Sequence, residues 1–438
     1  MLHPSDFQQR RKHLMRRLKK NSVALLASAP SLHRNRDTEY PFRQHSDFFY
    51  LTGFNEPDAV AVLAPGRKQG EFVLFCREFD PEKAIWNGKH AGLEGAREQF
   101  GADEAFPIAE LDQQLADILA DRDRVYFHIG HDANFDGRVM AAVNAVRGRA
   151  RTGVQAPYEF VALEHVLHEL RLFKTPAELA LMRRAAEASV LAHRRAMRNC
   201  RPGRYEYELE AELLHEFGLS GCRSPAYPCI VAGGGNACVL HYTENNQRLR
   251  DGDLLLIDAG AECENYAADI TRTFPVNGKF TESQRLIYEL VLEAQAAAIE
   301  AIRPGRRWIE PHEAAVKILA KGLVKLGLLE GKVGKLIKEE TYKKFYMHRT
   351  GHWLGMDVHD VGAYKSGGKW RELEPGMVLT VEPGLYIAPD CTDVDPRWRG
   401  IGVRIEDDVL VTKEGCEILT AGLPKAVAEI EALMAEAV

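Results

Sequence analysis

The sequence predicts an α/β domain followed by a second domain of helices and strands built from two similar halves. Three observations carry this expectation. The 438 residues exceed what one hydrophobic core usually supports, so two domains are the default. Between Val23 and about Gly148, short apolar runs alternate with helical patterns. Beyond Thr175, a helix–turn–helix pattern and a strand that ends on a carboxylate each occur twice.

The first element is a basic helix. Arg10, Arg11, Lys12, Arg16, Arg17, Lys19 and Lys20 cluster there, with Phe7, Leu14 and Leu18 at helical spacing and Ser5 with Gln8 as a capping box. A solvated basic face accounts for them without a function. Val23–Leu26, Asp47–Leu51, Ala59–Leu63, Phe72–Phe75 and Val125–Ile129 read as strands, and 92–100, 110–120 and 136–147 as helices. That combination makes a small α/β domain. A looser stretch with Gly153 and Pro157 and an amphipathic helix to about Arg171 follow. At Thr175 a new unit starts: Thr175 caps, Pro176 suits the first turn, and Glu178 completes a capping box. The boundary falls between 150 and 175, dividing the chain into 1–172 and 173–438.

The second domain repeats itself. A helical pattern ends in Arg201-Pro202-Gly203-Arg204 before another helix, and a later one ends in Arg303-Pro304-Gly305-Arg306 before another. Asp251 to Gly260 matches Glu374 to Gly384: a turn, an apolar strand, a carboxylate and a Gly-containing exit. Asp258 and Glu382 are therefore equivalent positions, and His241 and His359 correspond loosely upstream of each.

Composition excludes several functions. An apolar fraction of 45% and a charged fraction of 27% are ordinary for globular domains. A net charge of -6 provides no basic field for nucleic acid. No apolar run approaches the roughly 20 residues of a membrane span, and the N-terminus lacks a signal core. The eight cysteines form no Cys-x-x-Cys pair, which leads to an expectation of reduced thiols in the cytoplasm. Gly-x-Ser-x-Gly, Walker and dinucleotide fingerprints are missing, and Gly233-Gly234-Gly235 reads as a turn.

The acidic residues carry the chemistry. A hairpin centred near 263–264 would set Asp258 directly opposite Asp269, with Cβ atoms about 5 Å apart. Two ionised carboxylates at that distance repel by about 3 kcal/mol at an effective dielectric near 20. A cation between them would relieve this; two surface aspartates on a wet hairpin are the plainer alternative. Glu406 ends the period-two run Ile401-Gly402-Val403-Arg404-Ile405-Glu406, which places it on one face with Arg404. By the repeat it is the counterpart of Asp269. His348 and His352 are spaced as in a zinc-protease helix, but Arg349 stands where the glutamate should be. Any single histidine is more often structural, so the case rests on the ensemble. Asp258, Asp269, His352, Glu382 and Glu406 form an oxygen-rich set suited to manganese, cobalt or zinc. Four negative charges balance two divalent cations, and a water between such ions loses a proton near neutral pH.

In order, Leu240-His241-Tyr242, Ile257 to Gly260, Asp269 to Phe274, His348 to His359, Thr380 to Gly384, Arg404 to Asp407 and the N-terminal Tyr40 to Tyr50 resemble the pita-bread metallopeptidases, and their aminopeptidase P branch above all. The resemblance covers nearly the whole chain. It implies a creatinase-like α/β N-terminal domain followed by a C-terminal α+β pita-bread domain with internal duplication. It also implies two manganese ions and release of an N-terminal residue from peptides with proline second. One metal would take Asp258, Asp269 and Glu406; the other Asp269, His352, Glu382 and Glu406. Glu382 would also handle the proton of the attacking water. His241 and His359 would hold the substrate and stabilise the oxyanion, and His348 and Arg404 would line the pocket. Relatives of this kind suggest a homotetramer or homodimer in which Trp86 reaches a neighbouring site. Burial of Trp86 in its own core is the alternative. Gly351 departs from the serine often found before the ligating histidine, with little effect expected. A prolidase and a non-catalytic peptide- or protein-binding pita-bread module are the rivals; metal-free creatinase is disfavoured because all five ligands are present.

Overall fold

The computed structural model describes residues 2–436, which divide into two compact units that part between Arg171 and Leu172. Among the described residues no helix is long and apolar enough to cross a membrane.

The first unit is built on a six-stranded mixed sheet. Its spatial order is Glu104–Pro107, Phe72–Cys76, Val60–Leu63, Ser22–Ala27, Arg124–Phe127 and Glu159–Ala162. The central strands are continuous apolar runs because both faces are covered, with helices Leu111–Leu119 and Ala133–Gly148 contributing to the same core.

Two expectations fail here. The segment read as a strand over Asp47–Leu51 is a helix, Ser46–Thr52, that stops at Gly53 in the left-handed region. Six of its seven residues are buried, and a short apolar run buried all round carries no periodicity to separate helix from strand. The N-terminal helix, Pro4–Arg17, is capped by His3 with Asp6, not by Ser5 with Gln8. Its basic face is only partly solvated. Arg10 and Arg11 are buried, donating to the carbonyls of Tyr50 and Leu51 at 3.1 and 2.9 Å.

Asp47 is a hub of this unit. Its Oδ1 accepts from Arg171 at 2.6 Å and its Oδ2 from His128 and His168 at 3.0 Å each. Burial opposes its ionisation, yet Arg171 and the imidazoles hold the carboxyl well below its usual range. His45, Asp47 and His128 bring ligand atoms within 4.8 Å of one another, but both oxygens of this carboxylate already accept hydrogen bonds within the fold.

The second unit shows the duplication in its hydrogen bonds. Helices Pro176–Asn199 and Glu206–Leu219 flank the first Arg-Pro-Gly-Arg turn, and Glu282–Glu300 and Glu310–Lys325 the second. The amide of Gly203 donates to Leu249, whose amide donates back to Arg204. Gly305, Leu373 and Arg306 repeat this pair. Both turn glycines have positive φ, +95° and +81°, which a side chain would resist.

Register corrects the hairpin. Asp258 pairs with Thr271, not Asp269, because the turn is Glu264-Asn265, both with positive φ, and Cys263 pairs with Tyr266. Asp269 is thus a diagonal neighbour of Asp258, two residues along, and a shift of two keeps both on one face. In the second half Val381 pairs with Asp407 and Gly384 with Arg404. That register sets Glu382 against Glu406. Glu406 therefore stands where Thr271 does, and the register counterpart of Asp269 is Arg404.

The cysteine expectation also fails in part. Cys222 and Cys263 form a disulfide with Cα atoms 4.7 Å apart, while the other six are free. Pairing of Ala261-Glu262 with Ser224-Pro225 brings them together, a contact that spacing along the chain does not reveal.

Candidate metal centre

The two strand pairs of the second unit open into one cavity of about 600 Å³. Asp258, Asp269, His352, Glu382, Glu406, His241, His348, His359 and Arg404 all line it. Ligand atoms of Asp269, His352 and Glu406 lie within 4.8 Å of one another. Asp258 and Glu382 fall outside that tightest group but are tied to it. The Tyr227 hydroxyl is 2.6 Å from Oδ1 of both Asp258 and Asp269. Nε2 of His352 is 3.3 Å from Asp269 and 3.6 Å from Glu382.

Local structure aims each group. Nδ1 of His352 is 3.0 Å from the Trp353 carbonyl, which can only accept. Nδ1 therefore carries a hydrogen and Nε2 is the nitrogen turned to the carboxylates, protonated in the metal-free chain and free to ligate once that proton is displaced. The same logic at His348 gives Nδ1–H to the Arg349 carbonyl and leaves Nε2 to accept from Tyr386 at 2.8 Å. Tyr386 in turn accepts from Arg404, whose other nitrogens donate to Asp258 at 2.8 Å and Thr271 at 3.2 Å. Thr271 passes the chain on to Glu406 at 2.6 Å. The ring of His359 meets that of His352 edge-on at 4.4 Å.

The electrostatics fit a cation. Burial, with the charges of Asp269 and Glu382 behind it, holds Glu406 well above the usual carboxylate range. Burial likewise raises Asp258 against the pull of Arg404 and pushes Glu382 up to about 7. Asp269 stays low: burial opposes ionisation, but the hydrogen bond from His352 wins. His352 is pushed up to about 9 by Asp269 and Glu382 against its own burial. Four carboxylates packed this closely cannot all be charged together without positive charge among them. Protons supply it in the metal-free chain, and divalent cations coordinated by these oxygens and the imidazole would displace them.

Sequence reasoning missed Tyr227, Tyr386, Thr271 and Asp408, whose carboxylate accepts from the Asp269 amide. Tyr386 had a signal, lying in the strand Gly384–Ile387 that pairs with the strand of Arg404. Tyr227, between Ala226 and Pro228 in an irregular stretch, had none. The expectation for Gly351 also changes. A Cβ there would lie well inside van der Waals contact with the Thr380 carbonyl, so this backbone requires glycine.

The fold and the carboxylate–imidazole cavity together define a metal-dependent peptidase. Residues 180–413 match metallopeptidase family M24, and residues 7–126 match the aminopeptidase P N-terminal domain. The chain belongs to metallopeptidase family M24 and is an enzyme, with the N-terminal domain and pita-bread domain that its motifs led us to expect. It is 50% identical over 433 residues to the Xaa-Pro aminopeptidase of Escherichia coli (strain K12), covering 99% of this chain and 98% of the relative. Identity to the Xaa-Pro aminopeptidase of Haemophilus influenzae is 47%, covering 98% and 97%. Among solved structures, aminopeptidase PepP of Pseudomonas aeruginosa superposes with a TM-score of 0.98 at 60% identity, covering 99% of this chain and 98% of that one. Aminopeptidase P from E. coli with the inhibitor Pro-Leu gives 0.96 at 49%, with the same coverage.

Proposed function

We propose that this enzyme is a dinuclear Xaa-Pro aminopeptidase that releases the N-terminal residue from peptides with proline in second place. The observation that carries the reading is the convergence of all nine candidate residues on one cavity, in a chain similar along its whole length to proteins named Xaa-Pro aminopeptidase. Asp258, Asp269 and Glu406 would hold one divalent ion; Asp269, His352, Glu382 and Glu406 the other. When bound, the pair supplies Lewis acidity, acidifying a water and polarising the scissile carbonyl.

This chain's residues do the rest. Glu382, raised to about 7 before metal binds, takes the proton from the attacking water and returns it to the leaving proline nitrogen. His241 and His359 orient the peptide and stabilise the oxyanion. His348, kept neutral by burial and Arg404 and pushed down to about 4, lines the pocket together with Arg404. The oxygen-rich donors favour manganese, with cobalt or zinc as alternatives; zinc-substituted aminopeptidase P of E. coli is among the solved relatives. Trp86, 86% exposed on the helix Pro81–Asn87, which buries none of its residues, supports a homotetramer or homodimer in which that face meets another copy. We place the enzyme in the cytoplasm.

The test is hydrolysis by metal-stripped protein with each divalent ion added back, comparing an Xaa-Pro dipeptide with an Xaa-Pro-Xaa peptide. Manganese should restore cleavage of the longer peptide, and Asp269→Ala should abolish both metal binding and turnover. Cleavage of the dipeptide alone would make this a prolidase. No cleavage with any ion, or full turnover by Asp269→Ala, would remove the proposal.

A further inference from the structure

We propose that His312 is a positioning residue for the metal centre, acting through Thr350; the inference rests on the ligand set proposed above. His312 lies in the first turn of the helix Glu310–Lys325, outside the cavity that the proposed ligands line. Its Nδ1 is 2.8 Å from Oγ1 of Thr350, and that oxygen is 2.6 Å from the Tyr346 hydroxyl. All three side chains are buried. Among the described residues, Thr350 is the one side chain hydrogen-bonded to this imidazole. Burial and the nearby cations Arg349 and Lys343 push His312 down to about 4, so it is neutral at working pH.

The clamp holds the segment that bears the site. The Thr350 carbonyl accepts from the Glu382 amide at 2.7 Å, which anchors the backbone of the acid–base residue. Two residues on, the His352 amide donates to Thr380 Oγ1 at 3.1 Å, and its carbonyl accepts from the Thr380 amide at 3.0 Å. Gly351 between them packs directly on the Thr380 carbonyl. Residues 346–352 are thus pressed on one side against Thr380–Glu382, tied internally by Tyr346 to Thr350, and tethered on the other side to His312. The positions of His348, His352 and Glu382 all depend on that tether. A leucine at 312 would fill similar space without the cost of burying an imidazole. The polar link to Thr350 is what the histidine adds.

The test compares His312→Leu, Thr350→Val, their double variant and His312→Asn, whose amide can reach the Nδ1 position. Loss of one buried hydrogen bond corresponds to about a tenfold effect. We expect the Mn²⁺ dissociation constant of metal-stripped protein, read by calorimetry, to rise about 5–10-fold in either single variant. In those variants kcat should fall about tenfold at unchanged KM, His312→Asn should recover most of both, and the double variant should be no worse than either single one. A lower Tm with unchanged metal affinity and kcat would reduce His312 to packing and overturn the inference, as would additive losses in the double variant. Should His312→Leu not fold, Thr350→Val carries the same readouts. If the unaltered protein cleaves no Xaa-Pro peptide, the function above falls, while the metal-affinity comparison still decides the role of His312.

Discussion

Replacing Tyr227 with phenylalanine tests whether the carboxylates are gathered for a cation. Its hydroxyl is 2.6 Å from Oδ1 of Asp258 and 2.6 Å from Oδ1 of Asp269, so those oxygens are at most twice 2.6 Å apart. Two full charges at that separation repel by about 3 kcal/mol at an effective dielectric near 20. One hydroxyl proton serves one oxygen at a time and offsets about 1.5–3 kcal/mol, the range for a hydrogen bond to a charged group. Arg404 already steadies the other oxygen of Asp258 at 2.8 Å, so Asp269 loses most. The metal-free Tyr227→Phe protein should therefore be less stable by about 1.5–3 kcal/mol, which lowers Tm by roughly 3–12 °C in a domain of this size. With saturating divalent cation the carboxylates are neutralised directly, and the loss should shrink to about 0.5–1.5 kcal/mol, that of an ordinary hydrogen bond. Melting curves in chelator and in excess Mn²⁺ decide the matter. Equal losses in the two conditions would mean that the hydroxyl does not answer to the charge of the site, and no loss in chelator would refute the reasoning.

Three further outcomes follow from the same geometry. Glu382, raised by burial to about 7 without metal, binds a proton in the folded chain that the unfolded chain releases near its ordinary value. The metal-free protein should therefore lose about 3 kcal/mol of stability from this group as pH rises from about 4.5 to 7. His352, at about 9, adds a loss of the same sign from about 6.5 to 9. Apparent Mn²⁺ affinity should climb across that window as protons are displaced, and a pH-independent dissociation constant would contradict this. Gly351→Ser should destabilise the protein by at least about 2 kcal/mol, because the new Cβ meets the Thr380 carbonyl; an unchanged Tm would mean the backbone yields freely. Reducing Cys222–Cys263, which closes a separation of 41 residues, should cost up to about 4 kcal/mol by chain entropy, seen as a lower Tm in reductant that a Cys222→Ser variant reproduces without it.

What the sequence disclosed follows from where its signals lie. Asp258 and Glu382 were legible because each closes a buried apolar run, where an unpaired carboxylate is costly. The Arg-Pro-Gly-Arg turns were legible because the left-handed glycine and the proline are obligatory there. The hairpin centre was missed by one position: Asn265 and Glu264 both adopt positive φ, and asparagine alone of the two advertises that conformation. The Cys222–Cys263 link, the Asp47 hub and the Tyr227 bridge join residues far apart in sequence, and their partners are chosen by packing that local pattern does not encode. Ser46–Thr52 was misread because complete burial erases period.

The duplication also explains why the site is asymmetric. The two copies agree at Asp258 and Glu382, but the register puts Arg404 at the place of Asp269 and Glu406 at the place of Thr271. One half thus presents Asp258 and Asp269, and the other presents Glu382 and Glu406 with a guanidinium that reaches across to Asp258 at 2.8 Å. Four carboxylates and one guanidinium leave three negative charges, and the two divalent cations proposed above would turn that into one positive charge. A buried site seldom keeps a net charge cheaply, so the cavity is electrically suited to one further anion beside the metals. Without Arg404 the same ions would leave it neutral, and a deprotonated water or the developing charge of a carbonyl under attack would be favoured by the ions alone. On this account Arg404→Met should leave a cavity that still binds divalent ions, and binds them more tightly, while losing turnover; weaker metal binding in that variant would mean that Arg404 serves to hold Asp258 in place and not to set the charge.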